Sequence, residues 1–534
     1  MKRRTTARKV AQLAIPTILL ASIFSLVGLG AQTAAPPAKP VAKPTVKPTV
    51  TVAPGPKPQL LGKRMKFQDF VKDQHRLDSL IKAVGVMKTN STRPPGDFLY
   101  RISWEYWGAM HGFFGKGAKA GMLQDAINRA PANKKQFFEG LHDLTYPPTP
   151  PGLAQQVWDK CTHSGAQVNL QFLTWHRIYL FYFEKVLQAS ANDTTLHLPY
   201  WDYTDPAQVQ LPAAFAKEKL SNGQPNPLYD KRRRSQTVKL DPAITNIDTL
   251  LTESDFEDFS PDLEQQPHGT THCAVGPDCP YPLMGKVAVA GNDPIFWLHH
   301  ANIDRIFECW LKLGGDVPAD LLDKEYPFID ANGNLVKMTL RKLPIDYTYD
   351  HVTSCGRKAT PKFGPRTEGL EAVQPVVKVE NFAINKAKES VKLAVPKTGA
   401  ATEHLNRALA TAESVSAPRL TRTELALGDI TIPGDDPGVL YNVFLTTTGA
   451  NPRRQYVGTL SFFGLDHHEG ASKTLNRKID VTAALKALKG KLKDLPEIQV
   501  VFEATDGTPG VKPESLTPQG GLRVGSIQLQ VKGK

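Results

Sequence analysis

The stretch GNDPIFWLHHANIDRIFECW, residues 291–310, constrains this chain more than any other. Phe296, His300, Ile303 and Phe307 recur at helical spacing, which predicts one helix carrying the adjacent histidines His299 and His300 with Asn302, Asp304 and Arg305. Successive side chains on a helix point about 100° apart, so one histidine can face a bundle interior as a metal ligand while its neighbour packs or hydrogen-bonds elsewhere. A lone buried histidine is more often structural than a ligand. The histidines upstream change that balance.

Two residue groups precede the folded body. Residues 1–34 carry a basic start (Lys2, Arg3, Arg4, Arg8, Lys9), an apolar run from about Val10 to Ala31 and then small residues, the pattern of an export signal. Left uncleaved, a run of that length also serves as a membrane anchor. The chain is therefore expected to be secreted or periplasmic. Residues 35–62, rich in proline and lysine without apolar periodicity, read as an extended tether. Residues 1–64 hold eleven Lys or Arg and no Asp or Glu, so of the formal charge of +13 the remainder keeps only +2. The high charge belongs to leader and tether, and nothing points to nucleic-acid binding by the body. The basic run Lys231–Arg234 reads as a solvated loop.

A helix is expected from about Gln68 to Met87, followed by GDFLYRISWEYWGAMHGFFG at 96–115, where His111 ends an aromatic segment. Residues 161–184, CTHSGAQVNLQFLTWHRIYLFYFE, place His163 thirteen positions before His176 and Glu184 eight beyond it on a strongly apolar helix. A helix this aromatic carries His176 and Arg177 only if both find partners, because burying polar groups unpaired costs a few kcal/mol. Metal ligation satisfies the histidine. In DLEQQPHGTTHCAVG, 262–276, His268 and His272 stand i, i+4, which on a helix presents two imidazoles to one metal, and His300 on the next helix can add a third. Pro267 just before them is a helix-start signal.

FLTWHRIYLFYFE and DPIFWLHHANIDR, with LEQQPHGTTH between them, resemble the signatures of the tyrosinase, catechol oxidase and molluscan haemocyanin superfamily over roughly residues 65–350. The resemblance implies a four-helix bundle with two copper ions, each held by three histidines: His111, His163 and His176 on the first, His268, His272 and His300 on the second. His299 then stands beside the ligands without being one. The family spaces its second and third ligands nine apart rather than thirteen, so an insertion must loop out between His163 and Phe172. CTH resembles fungal members in which the cysteine is joined to that histidine by a thioether, which makes Cys161 the expected partner of His163. His142 is the alternative to His111 as first ligand. Neutral imidazole suits copper, and three per metal leave positions open for dioxygen between the two ions. The implied reaction is oxidation of ortho-diphenols to ortho-quinones with O2, the partners being small phenols and dioxygen. By the same resemblance Phe296 matches an aromatic gate and Glu264 a carboxylate that orients a water, with helix-start stabilisation as its alternative role. Gly269 stands where relatives proficient on monophenols often carry Asn, which implies diphenol oxidation with weak monophenol activity or none. A haemocyanin-like oxygen carrier with the same six histidines is the alternative; the solitary copper domain and the lack of repeats count against it.

If Cys161 enters a thioether, four cysteines remain. Cys273 with Cys279 closes a short loop, which leaves Cys309 with Cys355, although sequence alone keeps the other pairings open. After about residue 365, short alternating stretches separated by turn residues (PVVKVENFAI, SVKLAV, LYNVFLTTT, QYVGTLSFFG, EIQVVFEAT, VGSIQLQVK) predict a β-sandwich, with one helix over 480–492. Residues 398–423 read as a polar insertion or exposed linker, and His467 and His468 as surface histidines. The fold class expected is mainly α, a dicopper helical domain over 63–365 followed by a sandwich over 366–534. In position the sandwich resembles the C-terminal domain that covers the active site of plant polyphenol oxidases.

Overall fold

Side chains that are apolar all round a helix need other elements on every side, and Phe172–Ala191 shows the result: all but Lys185, Ala189 and Ser190 are buried. A computed structural model describes this helix and its surroundings over residues 61–112, 153–158, 160–161, 170–276, 283–352, 372–411, 421–432, 437–464, 474–490 and 497–533. The helical body consists of α1 (Gln74–Asn90), the short α2 (Trp104–Met110), α3 (Phe172–Ala191), the broken pair α4 (Phe256–Leu263) and α5 (Thr270–Val275), and α6 (Pro294–Lys312). Helix α3 packs against α1 on one side and α6 on the other. Phe183 and Trp297 stack between α3 and α6 with ring centroids 3.3 Å apart.

Local chemistry fixes the helix ends. Asp293 caps α6 by accepting the N–H of Ile295 at 3.1 Å, with Pro294 in the first helical position. Asn192 closes α3 in the left-handed conformation at φ 53°. Helix α1 starts later than its apolar stripe suggests, because Asp73 takes the cap and accepts from His75 N, leaving Phe67–Phe70 as a separate turn. The basic run does not form a solvated loop. Arg233 is buried and pairs with Asp293 at 2.6 Å, so the charge that caps α6 is itself neutralised. Arg234 pairs with Asp506 of the C-terminal domain at 2.8 Å.

Strand β1 (Gly62–Arg64) runs parallel to β2 (Tyr347–Tyr349) and carries Arg64 into the body. There the guanidinium donates to Glu184 at 2.8 Å, to Asp304 at 3.2 Å and to the Tyr349 hydroxyl at 2.9 Å, which ties the start of the folded chain to α3 and α6. Arg177, beside His176, finds its partner in Asp304 at 2.5 Å.

The C-terminal part is a sandwich of two antiparallel four-stranded sheets, from β3 (Ala372–Ile384), β4 (Lys388–Leu393), β5 (Thr421–Thr431), β6 (Leu440–Thr447), β7 (Arg454–Leu460), β8 (Thr474–Asp480), β9 (Ile498–Thr505) and β10 (Leu522–Gly533). Their orders are β8-β5-β10-β3 and β4-β9-β6-β7. Leu425, Leu427, Val443, Leu445, Val500, Phe502, Ile527 and Leu529 alternate into the space between the sheets. Where they are described, residues 398–411 and 421–423 are not an exposed linker; 412–420 lie outside the described residues. Ala400–Thr411 forms α7, which buries Leu405, Ala408 and Leu409 against the sandwich core, and Thr421 opens a strand paired on both sides. The expected helix of this part is α8 (Thr482–Lys489). Among the described residues no helix is long and apolar enough to cross a membrane.

Candidate metal centre

Six buried histidines converge in the helical body. His111 ends α2, His176 sits in the second turn of α3, His268 lies on a wide turn spanning Glu264–Gly269, His272 is on α5, and His299 and His300 are on α6. One ring nitrogen from each of His268, His272, His299 and His300 lies within 4.8 Å of the others, and the same holds for His111, His176 and His300. Backbone carbonyls orient four of these rings. Nδ1 of His111 donates to Val287 O at 2.8 Å, that of His176 to Phe172 O at 2.8 Å, that of His268 to Glu264 O at 2.9 Å and that of His272 to Met284 O at 2.7 Å. A carbonyl can only accept, so each Nδ1 carries the proton and each Nε2 offers its lone pair to the interior. Nε2 of His272 and of His300 are 3.2 Å apart, and the rings of His176 and His300 stack at 4.4 Å.

Burial and the surrounding imidazoles hold His300 far below the ordinary histidine range, and burial pushes His299 down to about 3, so both are neutral at any physiological pH. His300 Nδ1 and His299 Nε2 are buried with no hydrogen-bond partner among the described residues. Neutral, dry imidazoles with inward lone pairs fit copper, whose ligand preference is nitrogen of this kind. His299 Nδ1 is hydrogen-bonded to the Tyr203 hydroxyl at 2.8 Å, which holds its ring beside His268 and His272.

The local backbone explains how His268 and His272 face one way. Proline disfavours helical geometry in the residue before it, and Gln266 is extended at φ −144°, ψ 126°, so α4 stops and the helical path restarts at Pro267. The Gln266 side chain steadies that break, donating to Ala243 O at 3.0 Å and accepting from Thr459 N at 3.0 Å and the Tyr456 hydroxyl at 3.3 Å. From Pro267 onward the i, i+4 spacing brings the His268 and His272 rings to 4.6 Å.

His163 and His142 lie outside the described residues. Cys161 is buried with Sγ 3.7 Å from His176 Nε2, which places it at the histidine cluster. Cys273 and Cys309 are disulfide-bonded; Cys279 and Cys355, their expected partners, lie outside the described residues. Glu264 is buried one turn before His268 and accepts the His268 proton through its carbonyl. Phe296 is wedged among the imidazoles, 4.1 Å from His300 and 4.7 Å from His111 by ring centroid, and is fully buried.

The aromatic ring that reaches the second histidine group from the other domain is Phe463, just past β7. It stacks on His272 with centroids 4.0 Å apart and planes 10° from parallel, and meets His268 edge-on at 5.5 Å. Sequence reading missed it, as it missed Tyr203 and Gln266. The one available signal was SFFG itself, where a strand runs out into two phenylalanines before Gly464, which turns at φ 89°.

An ionic seam flanks this contact. Arg422 on β5 pairs with Glu253 and, at 2.5 Å, with Asp258; Arg477 on β8 pairs with Asp262; Lys532 on β10 reaches Asp258 at 2.7 Å. Burial, opposed by Arg422 and assisted by neighbouring acids, pushes Glu253 up to about 8, and burial raises Asp262 to about 6.

These features define a helical protein with a buried, neutral histidine metal centre and a β-sandwich laid against it. Residues 103–233 and 213–313 match the common central domain of tyrosinase, and through that domain the chain is similar to the tyrosinases and polyphenol oxidases. It is 28% identical to a tyrosinase of Hahella sp. (strain CCB-MM4) over 298 residues, 49% of this chain and 56% of that one. It is 30% identical to a chloroplastic polyphenol oxidase of Malus domestica over 214 residues, 32% and 35% of the two chains. The chain thus spans about half or less of the length of these curated relatives. The structure of a latent apple tyrosinase shares the fold at TM-score 0.54 and 20% identity, over 89% of this chain and 98% of that one.

Proposed function

We propose that the protein is a copper-dependent oxidase that converts ortho-diphenols to ortho-quinones with dioxygen, held in a covered form by its C-terminal domain. The observation that carries this reading is the set of four Nδ1–H to carbonyl bonds, which leave four buried Nε2 lone pairs in two adjoining histidine groups that share His300. His111, His176 and His163 are assigned to one copper, and His268, His272 and His300 to the other. Cys161 is assigned as thioether partner of His163. What the two coppers supply when bound is dioxygen binding and passage of two electrons from each diphenol; two diphenols and one O2 give two quinones and two waters.

The chain's own residues do the rest. The carbonyls of Val287, Phe172, Glu264 and Met284 fix the imidazoles before any metal arrives, and Phe296 fills the space among them. Glu264 is assigned as the carboxylate beside the substrate hydroxyl. Phe296 is assigned as the aromatic gate, and Phe463 as the cover, because it comes from the C-terminal domain and lies flat on a ligand ring. Gly269 offers no side-chain amide next to His268, which supports diphenols over monophenols as substrates. Residues 1–34 are assigned to export and 35–62 to a tether.

Oxygen uptake by the copper-loaded chain, given catechol and then the matching monophenol, tests this. Uptake with catechol is expected only once the cover is released, and little with the monophenol. Reversible oxygen binding without quinone would sink the oxidase reading.

A further inference from the structure

Gly269 follows His268 directly, at an ordinary right-handed helical φ of −61°, so its backbone makes no demand for glycine. Its surroundings do. A Cβ at this position would lie 2.6 Å from Ser461 Oγ, 3.2 Å from Ser461 Cβ and 3.3 Å from the Glu264 carbonyl oxygen. Ser461 is buried, and its Oγ accepts the backbone N–H of Phe463 at 3.3 Å. Turning the hydroxyl away from a new methyl group would therefore release the turn that presents Phe463 to His272.

We propose that Gly269 is the seat of the C-terminal cover: the missing side chain beside His268 makes the space that Ser461 fills, and residue 269 thereby sets how firmly Phe463 is held against His272. This rests on the reading of the C-terminal domain as a cover and extends it. One position then governs two properties. A side chain placed there to favour another phenol class and a tightly seated cover exclude each other in this chain.

The test is a double-mutant cycle in the intact copper-loaded chain with Gly269→Ala, Ser461→Ala and the pair, read by thermal unfolding midpoint and by initial catechol turnover without prior activation. Gly269→Ala should lower the midpoint and raise turnover on the order of tenfold, the factor that about 1.4 kcal/mol of lost seating energy gives. Ser461→Ala alone should shift both readings in the same direction, because it removes the acceptor of the Phe463 N–H. The pair should move them no further than the larger single change, since both substitutions act through that one hydroxyl. Additive effects would overturn the proposal by assigning the strain to the Glu264 carbonyl instead, and so would a Gly269→Ala chain that behaves as the original. A chain that oxidises no catechol even with its cover released defeats the activity reading, while the midpoint cycle still decides the contact.

Discussion

The phenyl ring of Phe463 lies on the imidazole of His272, centroids 4.0 Å apart and planes 10° from parallel, although the two residues belong to different domains. A stacked ring at that place occupies the approach to an assigned ligand of the second copper. Phe463→Ala should give an intact chain that oxidises catechol without activation. Burying the ring contributes about 2 kcal/mol, so the freed site should be populated ~30-fold more. Oxygen uptake at low catechol concentration measures this, and a rate equal to that of the unsubstituted chain would sink the assignment of Phe463 as cover.

The ionic seam makes a second expectation. Arg422 serves Glu253 and Asp258 at once. Its removal leaves the half-buried Asp258 carboxylate with Lys532 alone as counter-charge and takes a donor from the buried Glu253, a class of change that costs up to about 3–5 kcal/mol. Arg422→Ala should lower the unfolding midpoint and also increase uncovered turnover, because the seam holds the sandwich to the segment bearing His268. The cavity lesion alone would lower stability without changing access. Comparing Arg422→Met, which keeps the volume, separates the two.

Acid should loosen the far end of the body by a different group. Glu184 is fully buried; burial alone would raise its pKa, but Arg64, His197 and the Leu198 N–H outweigh it and bring the carboxyl from 4.5 to about 2. A depressed carboxyl contributes stability that is complete above its unfolded pKa and is lost as pH falls through its folded one. The loss is therefore expected between about pH 4.5 and 2. Unfolding by denaturant at stepped pH should show that slope in the original chain and a shallower one in Glu184→Gln, which is less stable at neutral pH. Equal slopes in the two would remove Glu184 from the account.

What could be read from sequence follows the range of the interactions involved. His176, His268, His272 and His300 were legible because helical spacing alone fixes which way they face. Phe463 and Ser461 were not, since their partners stand almost two hundred residues away and nothing in SFFG says what it touches. Strands β5 and β8 escaped notice for a related reason. The outward face of β5 carries Arg422 and Glu424, and Arg477 stands on β8 where the alternation calls for an apolar residue; these charged side chains are covered where Glu253, Asp258 and Asp262 meet Arg422 and Arg477 from the helical body. Arg233 misled in the same way: a basic run looks solvated until Asp293 is placed beside it. The polar segment 398–411 hid a helix because its apolar face is narrow, no more than Leu405, Ala408 and Leu409.

His300 belongs to both histidine groups, with Nε2 3.2 Å from that of His272 and its ring stacked at 4.4 Å on His176, whereas its neighbour His299 joins only the second group and is tied by Nδ1 to Tyr203. The two histidines should therefore separate on replacement. His300→Ala removes an imidazole from the centre of the site and should lower bound copper below two per chain and abolish catechol oxidation. His299→Ala should keep both coppers under saturating metal but bind the second more weakly, by about 10–100-fold, the usual effect of losing a group that orients a ligand. Copper counted by atomic absorption after dialysis against a graded chelator series distinguishes them without reference to turnover. Full copper retention in His300→Ala with loss in His299→Ala would reverse the assignment and make His299 the ligand.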